Sequence, residues 1–92
     1  MPLSRYDICV LPGDGIGVEV VDATLPLLEH VTRGAGYQLH FATQPAGALH
    51  YKATGDALPE TTFAAAQSAH AILFGAMGWP EIRRPDGTEI AP

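Results

Sequence analysis

The chain has 92 residues, 47% of them hydrophobic and 16% charged, which leaves room for one small globular domain and excludes a second. Ten acidic residues against five basic ones give a net charge of −5, and the bases (Arg5, Arg33, Lys52, Arg83, Arg84) form no broad patch, which argues against nucleic-acid binding driven by phosphate neutralisation. No stretch approaches the roughly 18 apolar residues of a membrane-spanning helix, and the N-terminal "MPLSRYD" lacks the apolar core of a signal peptide, so a cytoplasmic protein with no membrane partner is expected.

The first element in chain order is "YDICVLP", Tyr6 to Pro12, a short apolar run stopped by Pro and Gly, which predicts a buried strand. It holds Cys9, the only cysteine, so no internal disulfide can form and a buried inert thiol is expected. After the loop "PGDGIG", Val21, Thr24, Leu25, Leu28 and Val31 recur at helical spacing and predict a helix from about Gly17 to Arg33, stopped by Gly34 and Gly36. Pro26 lies inside it and removes a backbone donor at a cost of about 3 kcal/mol in a regular interior, so a kink or a late start is expected.

"YQLHFAT", Tyr37 to Thr43, alternates Tyr37, Leu39 and Phe41 with Gln38 and His40, the pattern of a half-buried strand. "AGALHYKATGDALP" predicts a short helix with a turn at Gly55. "PETTFAAAQSAHA" predicts another helix, with Pro59 near its start and Glu60 in its first turn, where a carboxylate suits the helix dipole. "AILFGAMG" is a second continuous apolar run and reads as a central strand, while "GWPEIRRPDGTEIAP" is turn chemistry throughout.

Strand, helix, strand, helices, strand, with two strands apolar throughout, points to a parallel α/β layer. Ile8–Leu11 and Ile72–Phe74 are expected as neighbouring parallel strands, with residues 12–17 and 75–78 sharing the sheet's carboxyl edge, where ligands bind in open α/β sheets. Three strands cannot close such a sheet, and a chain this short buries only roughly 60–65% of its unfolded surface, so the physics suggests a piece of a larger domain.

The loop in "VLPGDGIGVEVV" carries the strongest functional signal. It lacks the Lys and Ser/Thr of a phosphate-cradling P-loop. Val18 stands where the dinucleotide fingerprint needs its third glycine, and the next strand ends in Ala42-Thr43-Gln44 with no acid for a ribose. Asp14 also disfavours a phosphate, because its carboxylate can itself cap the helix that follows. Two readings stay open: a tight strand-to-helix turn capped by Asp14, or a loop that presents backbone and Ile16 to a flat neutral group.

Longer segments carry a resemblance. "LPGDGIGVEV" closely resembles the "LPGDGIGPEV" signature of the β-decarboxylating dehydrogenases, the isocitrate/isopropylmalate dehydrogenase family that includes tartrate/malate enzymes. "GALHYKATGDALPETT" is similar to that family's G-G-x-x-x-x-x-x-G-x-x-L-P segment, "AILFGAMGWP" to its "AVLLGAVGGP", and "RRPDGTEIAP" to the approach to its substrate loop. Val18 replaces a usual Pro and Trp79 a common Gly. The resemblance spans nearly the whole chain but only about a quarter of a family member, whose size exceeds that of a typical domain.

The resemblance implies a single partial α/β domain over residues 1–92: the N-terminal part of the large domain of an isopropylmalate-dehydrogenase-like fold, mostly parallel sheet with flanking helices, and not a Rossmann fold. It implies part of an NAD-dependent (NADP possible) oxidative decarboxylase of a 2-hydroxy acid, 3-isopropylmalate or tartrate/malate in type, assisted by Mg²⁺ or Mn²⁺ and assembled as a homodimer. It gives Ile16 a contact with the nucleotide, and it sets Gly78, Trp79 and Pro80 in the loop bordering the nicotinamide side, with Asp86 or Glu89 near the nicotinamide. The family's substrate arginines, tyrosine/lysine acid–base pair and metal-binding aspartates fall outside these residues, so no catalytic or metal-ligating residue is expected here and the chain alone is expected to be inactive. The alternative is a free-standing α/β binding or interaction module without catalysis, distinguished by whether the gene continues past Pro92 with an arginine-rich helix and D-x-x-x-D spacing. His30, His40, His50 and His70 have no metal-ligand spacing and are expected at the surface or in caps, and Arg83 and Arg84 as a solvated loop pair.

Overall fold

The computed structural model describes residues 4–90. It has strand β1 (Arg5–Leu11), helix α1 (Ile16–Thr32), strand β2 (Gln38–Thr43), helices α2 (Ala48–Thr54) and α3 (Glu60–Ser68), and strand β3 (Ala71–Phe74). The three strands form one sheet in the order β2-β1-β3 with both pairings parallel. As expected, Ile8 to Leu11 run beside Ala71 to Phe74 in register.

Each helix obeys its local signals. α1 ends where Gly34 and Gly36 take positive φ, and α2 ends on Gly55 in the left-handed region. Pro59 takes the N-cap of α3, with Glu60 in the first turn. Pro26 does not delay α1, which begins at Ile16 and continues through it. Pro26 and Asp22 are both exposed, so water reaches the carbonyl that the proline leaves unbonded.

A central β3 is expected from the sequence, but among the described residues it lies at an edge. β1 is the central strand, and β3 is an edge strand of four residues with Ile72 50% and Phe74 61% exposed. Apolar composition marks a strand that needs cover, but it does not say that the cover lies within this chain. Right-handed crossovers put α1 and α3 on opposite faces of the sheet. On the α3 face, Cys9 and Leu11 pack with Ala46 against Ala65, Ala66 and Ala69. A second small cluster joins Ala48, Ala57 and Ile90. These cores are built of small residues, and the largest side chains with no exposure are Val10 and Thr62.

The radius of gyration is 15.0 Å, against about 12 Å for a compact domain of this length. Among the described residues both sheet edges are unpaired, and Leu27, Val31, Phe63 and Phe74 are each more than half exposed. The chain on its own is therefore expected to be marginally stable or to self-associate. Light scattering coupled to size exclusion, followed by a thermal scan, checks this; a monodisperse monomer with a cooperative transition at ordinary mesophilic temperatures would contradict it.

Candidate functional site at the carboxyl edge of the sheet

Parallel pairing brings the loops after β1 and β3 together. The Gly75 N–H donates to Leu11 O at 2.7 Å, and the Asp14 N–H to Ala76 O at 2.9 Å, so residues 12–17 and 75–78 meet backbone to backbone. The segment after β2 reaches the same place. Gly47 N–H bonds Ala57 O, and the buried Thr62 hydroxyl donates to Pro45 O at 2.8 Å, fixing the approach to α2.

Asp14 sits where the three segments converge, 3% exposed. It does not cap its own helix. The N-cap of α1 is Gly15, without a side-chain bond, and the Asp14 carboxylate turns instead to two other segments. Oδ2 accepts from the N–H groups of Ala48 and Gly78, each at 2.8 Å, and Oδ1 accepts from the Leu49 N–H at 2.9 Å. The carboxylate thus caps α2, thirty-odd residues away in sequence, and ties it to the loop after β3. Burial pushes the Asp14 carboxyl up, but the N–H donors of Gly78, Leu49 and Ala48 together outweigh it and hold the group below the ordinary aspartate value.

The glycines of this edge admit protein rather than ligand. A Cβ at Gly13 would lie 2.3 Å from Ala76 O, and one at Gly17 2.5 Å from both Ala76 O and Pro12 O. At Gly15 it would meet the Trp79 indole at 2.9 Å, and at Gly47 the Asp14 Oδ2 at 2.7 Å. Close loop–loop packing and the Asp14 bonds therefore account for the glycine pattern.

The six predicted cofactor residues separate into two groups. Gly78, Trp79, Pro80 and Glu89 line one open groove of about 270 Å³ together with Met77 and Ile90. Ile16, 69% exposed at the start of α1, stands next to Gly15, on which the Trp79 ring is seated. Asp86 is not brought to that groove. Its exposed carboxylate accepts from both the N–H and the hydroxyl of Thr88, which lowers its pKa and closes the hairpin tip between the bridged residues Arg83 and Glu89. Glu89 pairs with Arg83 at 3.4 Å, and Arg83 also donates to the carbonyls of Pro80 and Gly87.

Other polar residues make contacts within the fold. His70 Nδ1 accepts from the Asp7 N–H at 2.9 Å, closing the start of β1, and His40 lies 3.6 Å from the Asp7 carboxylate. The Arg84 guanidinium lies 5.5 Å from the centroid of the Tyr51 ring. Cys9 is buried, and burial raises its pKa, as suits an unreactive thiol. Among the described residues no three His, Cys, Asp or Glu side chains converge on a common point. Sequence reasoning missed Gly47 and Thr62, since neither carries a local signal for contacts made 17 or more residues away.

This edge therefore exposes two large apolar side chains, Ile16 and Trp79, on loops joined by backbone hydrogen bonds. Comparison with known proteins places that surface in context. The profile of the family described as "Isocitrate/isopropylmalate dehydrogenase" matches residues 7–91. A 3-isopropylmalate dehydrogenase of Synechococcus sp. (strain CC9902) is 42% identical over 78 residues, covering 85% of this chain and 22% of that protein. A 3-isopropylmalate/3-methylmalate dehydrogenase of Methanocaldococcus jannaschii is 48% identical over 73 residues, covering 79% and 21%. Among solved structures, a β-decarboxylating dehydrogenase of Thermococcus kodakarensis in its apo form superposes with a TM-score of 0.71 at 31% identity, over 87% of this chain and 23% of that one. The chain thus spans about a fifth of the length of the curated relatives it matches.

Proposed function

The chain belongs to the isocitrate/isopropylmalate dehydrogenase family, and from that premise we propose that it forms the N-terminal part of an NAD-dependent oxidative decarboxylase of a 2-hydroxy acid, carrying one flank of the cofactor site. The 3-isopropylmalate type is favoured, since that is the activity in the names of the relatives above. The observation that carries the reading is the convergence of the 12–17 and 75–80 loops on one sheet edge, where the exposed Trp79 ring lies over Gly15 and the exposed Ile16 is the next residue along the chain.

The residues present fit one side of a nicotinamide dinucleotide. The exposed Ile16 and Trp79 offer apolar surface to a flat ring, and Trp79 lines the open groove between Met77 and Ile90. Hydride acceptance is the chemistry that the nicotinamide supplies when bound. Residues 1–92 contribute contact and orientation, and the proposal assigns them no acid–base group and no metal ligand. The domain is read as a partial one and the working assembly as a homodimer, in the cytoplasm. NADP in place of NAD, and Mg²⁺ or Mn²⁺ on ligands outside this chain, belong to the same reading.

The test titrates NAD into the 92-residue chain, with Trp79, the sole tryptophan, as the fluorescent reporter. Saturable quenching is expected, and Ile16→Asp should weaken it by about tenfold or more, because a carboxylate replaces an apolar contact near a phosphate-bearing ligand. 3-Isopropylmalate should give no comparable, Ile16-dependent response, and no NADH should accumulate with both present. Equal NAD affinity in wild type and Ile16→Asp, with the fold retained, would return the glycine loop to a purely structural turn.

A further inference from the structure

We propose that Asp14 is a positioning residue for the loop after β3: its carboxylate fixes the Gly78 N–H to the first turn of α2 and so keeps the Trp79 indole seated on Gly15. Only the statement that this loop borders a cofactor rests on the function proposed above. The positioning itself rests on geometry within this chain.

The geometry has three parts. Oδ2 of Asp14 is shared between Ala48 and Gly78, two donors that no secondary structure joins, so this one oxygen is their link. Gly78 has φ +121, a conformation that side chains rarely adopt, with open space where its Cβ would stand, and its N–H bond to Asp14 ties it to the rest of the edge. The next residue is Trp79, whose indole Cζ3 would stand 2.9 Å from a Cβ on Gly15. Asp14 lies between these features, bonded through its own N–H to Ala76. Among the described residues it forms no ion pair. The charged or titratable side chains that share a groove with Asp14 or with the loop are His50 on α2, Lys52, Glu81, Arg83 and Glu89. The carboxylate is therefore held by backbone donors alone, and its charge is directed wholly at these three N–H groups.

This arrangement distinguishes positioning from general support of the fold. In Asp14→Asn the amide oxygen can stay with Ala48 and Gly78, while its NH₂ group confronts the Leu49 N–H. Amide exchange at Leu49 should rise by roughly tenfold or more, the scale of one lost charge-assisted hydrogen bond. Gly78 and the Trp79 emission should stay near wild type at neutral pH, and the β1–β2 ladder amides should keep their protection. In the wild-type chain, acid should release Gly78 and shift the Trp79 emission together, with a midpoint below the ordinary aspartate range and before the ladder opens. Asp14→Asn should abolish that acid step, whereas Glu81→Gln and Glu89→Gln should leave it. The inference is overturned if the step persists in Asp14→Asn, if it coincides with loss of the whole ladder, or if Gly78 and Trp79 move independently. NAD titration separates the two ideas: equal NAD affinity in wild type and Ile16→Asp, with the acid step present and dependent on Asp14, removes the cofactor reading and leaves the positioning of the loop established.

Discussion

Replacing Gly75 with alanine is expected to unfold this chain. The new Cβ would lie 2.0 Å from Pro12 O and 2.8 Å from Pro12 C, both backbone atoms, and 3.0 Å from the Val21 side chain on the helix beyond. Backbone cannot turn aside as the end of a flexible side chain can, so the β1 and β3 exits must separate. Separation breaks the 2.7 Å bond from Gly75 N–H to Leu11 O and loosens the Asp14–Ala76 contact behind it. Overpacking of this kind costs about 3 kcal/mol or more, a large share of what a small, incompletely covered domain possesses. Gly87→Ala is the control. It also carries positive φ, at +88°, but nothing lies within 4 Å of its Cβ position. Its cost should be confined to backbone strain of roughly 1–2 kcal/mol. Circular dichroism melts of the two variants beside wild type check the contrast, and comparable losses in both would refute the account of loop–loop packing.

Removing the Asp14 carboxylate altogether, in Asp14→Ala, is the second large expected effect. Three N–H donors lose their acceptor at a site where the residue is 3% exposed. A buried donor left unsatisfied costs about 1–3 kcal/mol, and partial entry of water relieves some of it, so a loss of about 3 kcal/mol is expected. Urea unfolding should show a lower midpoint with little change in slope. The pH dependence has a definite sign. The folded-state pKa of Asp14 lies below its unfolded value, so the folded protein prefers the ionised form. Its contribution is fully present above the ordinary aspartate range, near pH 3.9, and is lost as pH falls through the lower folded value. Asp14→Ala should therefore be most damaging near neutrality, with its stability deficit shrinking in acid. A deficit that stays constant from neutral pH into acid would mean that the carboxylate acts through its size and not its charge.

Local grammar made most of the fold legible. Apolar runs bounded by Pro and Gly gave β1 and β3, alternation gave β2, and a 3.6-residue period with glycines after it gave α1. The parallel pairing of β1 with β3 followed from chain order and the right-handed crossover, which act on any such sequence. The family was likewise legible, because four segments in order carry its resemblance without any contact being known. What the residue string could not supply was destination. Asp14 read as the cap of the helix beside it, since capping is ordinarily local; the tertiary structure sends its carboxylate to Ala48, Leu49 and Gly78, which reach it only through the sheet. The glycines of the same loop read equally as a tight turn or as a loop facing a ligand, and the folded chain fills the space beside Gly13, Gly15 and Gly17 with Ala76 and Trp79. β3 read as central because its residues are apolar, yet strand order is set by which neighbours are present, and among the described residues β3 has one. Composition and period are fixed by nearest neighbours along the chain, and so are visible in it. Caps, close approaches and edges are fixed by neighbours in space, and only the tertiary structure decided them.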